Sequence, residues 1–273
     1  MVRFFTPNSA TYSIAGPKTV VSPTKVAMSA ESSMAVVAID AMIVGSYINT
    51  KSWDGDGTND YIDTGVKPTD LGVNGSNSRT WSCWVNWDAI TDDDAIWSCG
   101  ADASEQHWTL RSRTGDAGDG SVNYRLDLRG TNVDFSVAGS EGNWKHIVVV
   151  GISAGGMGGN TTWVYVNGSQ VATGEGEFNT SNANNIVIGR DARTDGNYPN
   201  AKVDEFSIWN AGMNATQVAE LYNSGTTFDI TTHSLAATKL KLLYTFNAGD
   251  CTDDSGNESA GTNNGGAFST TVP

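Results

Sequence analysis

From Ser52 to Trp209 the chain consists of short runs in which apolar and polar residues alternate or β-branched residues crowd together. Clusters of Gly, Asn, Asp and Ser separate each run from the next. Side chains on a strand alternate between faces, so this pattern predicts an all-β sandwich. Tyr61–Thr64, Trp81–Trp87, Tyr124–Leu128, Ile186–Gly189 and Val203–Trp209 read as strands. Lys145–Gly151 is nearly continuous β-branched sequence and reads as a central strand. Trp163–Val166 leads into Asn167-Gly168, a pair that tolerates positive φ at both positions and so predicts a type I′ hairpin turn. The 31 glycines agree with this class, because each would cost about 1 kcal/mol inside a helix. One helix is expected after the strands. Asn214 and Gln217 are spaced as a capping box, Val218, Leu221 and Tyr222 share a face, and Gly225 is expected to end it.

The flanks differ in texture. Residues 1–50 hold Pro7, Pro17 and Pro23 and the apolar stretch Met34–Val44, interrupted by Asp40. That stretch is too short and too polar to cross a membrane. It reads as an assembly arm, buried against another surface. The residues after Phe5 are too polar for a secretory signal, so none is expected. Residues 51–228 form the expected β domain. Residues 229–273 form a tail with one strand-like segment, Leu240–Phe246, expected to pack on the sandwich or on a neighbouring chain.

Sixteen Lys and Arg against thirty Asp and Glu give a formal charge of −14. Phosphate-rich nucleic acid and anionic membrane surfaces need the opposite sign, so both are excluded as partners. Cations and neutral polar ligands remain. The cysteines, Cys83, Cys99 and Cys251, show no zinc spacing. A hairpin of Trp81–Trp87 with Ala95–Ala101 would set Cys83 opposite Cys99; buried free thiols are the alternative.

Several motifs resemble the laminin-G-like domains of the concanavalin A-like lectin/glucanase jelly roll. They are Trp53–Ile62 (Trp-Asp-Gly-Asp-Gly-Thr-Asn-Asp-Tyr-Ile), Trp81–Val85, Asn143–Val148, Val164–Gly168, Ile188-Gly189-Arg190, Val203–Asn210 and Glu220–Gly225. The resemblance implies a jelly roll of two antiparallel sheets with a short C-terminal helix. Leu243–Phe246 followed by Asp254–Asn257 resembles a segment that often precedes such domains, and here it follows. That order is similar to structural proteins of tailed bacteriophages. It implies a non-enzymatic virion protein, a capsid decoration or fibre component, that self-associates, contacts other capsid or tail proteins and displays a glycan-contacting jelly roll. A secreted or surface glycan-binding adhesion module is the alternative, and a glycoside hydrolase the third reading.

The hydrolase reading lacks its chemistry. Retaining glycosidases need two carboxylates about 5 Å apart, and no Glu-x-Asp-x-x-Glu occurs; Glu175 and Glu177 lie in a glycine-flanked segment. Asp54, Asp56, Thr58 and Asp60 place oxygens at alternate positions, as calcium loops do, or else form a turn that satisfies its own backbone. The resemblance implies a structural calcium held by Asp60 and Asp204, with Asp54 beside them. For sugar, an aromatic platform with amide partners is expected at Tyr198 and Asn197, with Trp108 bordering a second loop; ordinary packing is the competing reading for both rings.

Overall fold

The alternating runs form two antiparallel sheets in the computed structural model, which describes residues 47–113, 122–155, 159–175 and 177–273. The Met34–Val44 stretch, most of the expected arm and Gly176 lie outside the described residues. In chain order the strands are β1 (Ser52–Asp56), β2 (Tyr61–Asp63), β3 (Arg79–Ala89), β4 (Ala95–Gly100), β5 (His107–Ser112), β6 (Val122–Asp127), β7 (Val133–Val137) and β8 (Lys145–Ile152). They continue as β9 (Thr161–Val166), β10 (Ser169–Glu175), β11 (Val187–Ile188), β12 (Asn200–Trp209), β13 (Leu240–Tyr244), β14 (Thr262–Asn264) and β15 (Ala267–Ser269).

One sheet runs β10-β9-β8-β3-β12-β1-β15, and the other β14-β2-β11-β4-β5-β6-β7. The far edge of β12 is shared: β1 pairs with its first half and β13 with its second. The architecture is a jelly-roll sandwich. Its interior takes Trp81, Cys83, Val85 and Trp87 from β3, and Trp97, Cys99, Trp108 and Leu110 from β4 and β5. The outer face of the first sheet is apolar too, with Val148, Val150 and Trp209. Helix α1 (Ala215–Tyr222) covers it with Val218 and Leu221, as the shared face in the sequence predicts.

Asn214 and Gln217 form the expected capping box. The helix ends earlier than expected, at Asn223, whose φ of 44° makes the left-handed cap that Gly225 was expected to supply. Asn takes that conformation with little strain. Asn167 and Gly168, with φ of 49° and 75°, form the predicted turn of the β9–β10 hairpin. The β3–β4 hairpin is corrected. β3 pairs with β8 and β12, while β4 pairs with β5 and β11. Both edges of each strand are taken by other strands, so the two lie in opposite sheets rather than edge to edge. All three cysteines are free and buried, and burial pushes Cys83 upward and Cys99 to about 12.

Ile48–Pro273 form one compact unit. Residues 49 and 50, assigned to the arm by composition, are tied into it: Asn49 Nδ2 donates to Asp204 Oδ2 at 2.7 Å, and Thr50 N donates to Asn247 Oδ1 at 2.6 Å. The tail contributes β13 and β15 to one sheet and β14 to the other.

Candidate functional site

Ile62 of β2 enters the core, so the alternation turns Tyr61 and Asp63 to the outer face of the second sheet. The register of β14 sets Thr262 beside Asp63 and Asn264 beside Tyr61. Together with Gly65 and Ala260 they line a shallow pocket of about 240 Å³. Asp63 Oδ1 accepts from Gly65 N at 2.8 Å and from Asn185 Nδ2 at 3.0 Å.

Tyr61 also meets the 189–199 loop, between β11 and β12. Gly189 N donates to Ile96 O at 2.9 Å, Ala192 N to Ser98 Oγ at 3.1 Å, and Ala95 N to Asn197 O at 2.9 Å. The loop therefore lies over β4. Asp195 and Asn197 hold φ of 51° and 62°, the left-handed region that Asp and Asn adopt with little strain. Asp195 accepts from Arg190 Nη1 at 2.5 Å and, through its carbonyl, from the Tyr198 hydroxyl at 2.9 Å. The Arg190 guanidinium sits 4.0 Å over the Tyr61 ring, and the Tyr198 ring lies 6.3 Å from it, tilted by 39°. Both tyrosines remain half-buried. A second hollow of similar size, beside Thr231, Ala236, Lys241 and Asn257, is lined by no aromatic side chain.

The far end of the loop is clamped by charge. Asp191 is fully buried, with Arg193 Nη2 at 2.5 Å and Nε at 3.0 Å. His107 Nε2 lies 3.6 Å from the same carboxylate, and 2.6 Å from Thr109 Oγ1. Arg111 contacts Asp127, which also neighbours Arg193 at 3.7 Å. Burial works to raise the Asp191 carboxyl, but the nearby His107 ring and the bonds from Arg193 outweigh it and hold the group below the usual carboxylate range. Burial also lowers His107, against the pull of Asp191 and Asp127.

The structure places the six sequence-predicted residues differently. Tyr198 lies beside Tyr61, which lines the pocket. Asn197 lies on the same loop and acts there through its backbone carbonyl. Trp108 is corrected: it is 0% exposed, edge-to-face with Phe178 at 5.4 Å and under the Arg79 guanidinium at 4.8 Å. Its segment is strand β5 rather than a loop, and the alternation turns it inward.

The carboxylates named for calcium do not fit a shared ion. Asp54 Oδ1 faces Lys202 Nζ at 3.6 Å. Asp60 Oδ2 accepts from Asp56 N, and Asp56 Oδ1 from Thr58 N, so this turn satisfies its own backbone. Asp204 is fully buried on β12, bonded to Asn49 and Glu205 N, and burial raises its carboxyl to about 8. Among the described residues, no three His, Cys, Asp or Glu side chains gather as metal ligands.

Sequence reasoning missed Tyr61, Asp63, Arg190, Thr262 and Asn264. Tyr61 and Asp63 carry a local signal, since they flank an apolar residue in a strand. Thr262 and Asn264 carry none, because they meet Tyr61 only through the pairing of β14 with β2.

Two sheets, a helix layer and a polar outer face with half-buried tyrosines define a lectin-like β-sandwich. The chain belongs to the concanavalin A-like lectin/glucanases superfamily, whose sequence pattern matches residues 56–219. No curated protein matches it. Among solved structures it is similar to a candidate carbohydrate binding protein from Bacteroides ovatus, at 22% identity and a TM-score of 0.59, over 83% of this chain. The match spans 61% of the length of that protein, and the likeness is one of fold. Weaker matches include a SAP-like pentraxin from Limulus polyphemus, 17% identical over 64% of this chain and 83% of that one, with a TM-score of 0.44. The NanB sialidase from Streptococcus pneumoniae is 17% identical over 63% of this chain and 28% of its own, with a TM-score of 0.46.

Proposed function

We propose that this protein is a non-enzymatic glycan-binding module that holds a sugar ring against Tyr61 and Tyr198. The observation that carries this reading is the half-buried tyrosine pair beside a pocket lined by Asp63, Thr262 and Asn264. A sugar presents C–H groups to an aromatic face and hydroxyls to polar groups around it, and this pocket offers both. Tyr61→Ala and Tyr198→Ala should each weaken glycan binding about tenfold, a loss of about 1.4 kcal/mol, with melting temperatures little changed. Calorimetry against the glycans that score on an array measures both. Unchanged affinity in both variants would end the proposal.

The absence of catalysis is part of the same reading. The buried carboxylates Asp127 and Asp191 are both bound to arginines. Asp191 is held too acidic to donate a proton near neutrality. The setting we propose is a tailed-phage virion surface, supported by the Leu243–Phe246 and Asp254–Asn257 motifs following the domain. The tail strands are used within the chain's own sheets, which leaves residues 1–46 to engage neighbouring virion proteins or other copies. Deletion of 1–46, which stops short of the Asn49 and Thr50 contacts, should leave a folded sandwich that no longer assembles. Light scattering of both forms tests this; equal masses would refute it.

A further inference from the structure

We infer that the pocket beside Tyr61 selects neutral sugars and rejects anionic ones; this rests on the glycan-binding reading above. The six lining residues include one charged side chain, and it is a carboxylate. Asp63 Oδ1 accepts from Gly65 N and Asn185 Nδ2, which leaves Oδ2 to accept from a ligand hydroxyl. A carboxylate accepts such a bond strongly, with hydroxyls as the donors. Thr262 adds a hydroxyl. Asn264 donates one amide hydrogen to Thr262 O at 3.1 Å, and its amide oxygen remains an acceptor.

A uronate or sialic-type carboxylate entering this pocket would need a cation to replace its lost hydration. The cation at the site, Arg190, is bonded to Asp195 at 2.5 Å and its guanidinium is packed over the Tyr61 ring. Its charge is therefore already matched. Lysine is absent from the lining. The acidic ligand would instead face Asp63 at contact distance, within a protein whose formal charge is −14. The local repulsion survives in the complex, and the net charge slows the approach of anions until salt screens it.

The test uses the full chain and matched probes: neutral oligosaccharides and the same chains oxidised at C6 to uronates, titrated at low and at high salt. Each bound neutral chain should exceed its uronate counterpart by about fivefold or more at low salt, the effect of two like charges about 4 Å apart in water. High salt should shrink the ratio. Asp63→Asn keeps an oxygen for Gly65 and Asn185, so it should fold normally and bring the ratio near unity. Uronates that bind as tightly as neutral chains, or a ratio unmoved by Asp63→Asn, would overturn the selectivity while leaving binding through Tyr61 intact. If no member of either set binds, or binding ignores Tyr61→Ala, the glycan reading fails and the selectivity with it.

Discussion

A chain ending at Lys239 should not fold cooperatively. The removed segment supplies β13, β14 and β15, so the second half of β12 keeps only β3 as a partner, β1 loses its outer partner, and β2 loses its edge. It also removes Leu242, Tyr244 and Phe246 from the core between the sheets, and Leu240 and Leu243 from the layer under the helix. Truncating one buried leucine or phenylalanine costs about 2–5 kcal/mol. Removing five large side chains together therefore exceeds the roughly 5–15 kcal/mol that holds a domain. Trp53 would also be stranded: its Nε1 donates to Asn263 Oδ1 at 3.0 Å, and Gly266 packs so tightly on the indole that a Cβ there would lie 2.1 Å from Nε1. The truncated chain should bind a hydrophobic dye and give no sharp thermal transition. A cooperative melt from residues 47–239 would contradict this account of the tail.

Asp191→Ala should cost about 3–5 kcal/mol, the usual loss when one partner of a buried ion pair is removed. The Arg193 side chain, 8% exposed, would lose the carboxylate that its Nε and Nη2 bind. The loop would then lose its side-chain tie to His107 of β5, which loosens the segment that carries Tyr198, so glycan binding should fall alongside stability. The pH dependence follows from sign. A carboxyl held below its unfolded value stabilises the native state at every pH above that unfolded value, near 3.9. The contribution is lost as pH falls through the lower, folded value. The stability gap between wild type and Asp191→Asn should accordingly stay constant from pH 8 to about pH 5 and narrow in stronger acid. Urea titrations at several pH values measure it. A gap that widens toward acid would show that Asp191 does not act through His107 and Arg193.

How far the sequence reaches can be seen in single residues. Alternation placed Trp81, Cys83, Val85 and Trp87 on one buried face, and Asn167-Gly168 fixed a hairpin. Asn214 and Gln217 fixed where the helix starts. These signals work because period, turn chemistry and capping act within a few residues, where the chain cannot choose otherwise. Trp108 shows the limit of the same logic. Its strand was not recognised, and without the strand the inward direction of the ring could not be read.

Pairing was not local. Nothing near Trp81 or Ala95 says that β3 and β4 belong to opposite sheets, because that choice depends on which strands compete for their edges. The tail had the composition of an appendage, and only the sheets reveal it as structural. Asp253 and Asp254 bind the backbone of Leu243 and Thr245 at 2.9 and 3.1 Å and so fold the segment after β13 back upon it. The candidate site follows the same division. The sequence by itself determined that Tyr61 and Asp63 share a strand face and that an Asp-Gly-Asn-Tyr loop would present Tyr198. Tertiary structure alone decided that these two tyrosines meet, that β14 brings Thr262 and Asn264 beside them, and that Asp54, Asp60 and Asp204 take separate partners. The tyrosine contact, the approach of β14 and the Asp54–Lys202 and Asp204–Asn49 contacts join residues far apart in the chain, and sheet register and packing, which no local pattern encodes, set which of them touch.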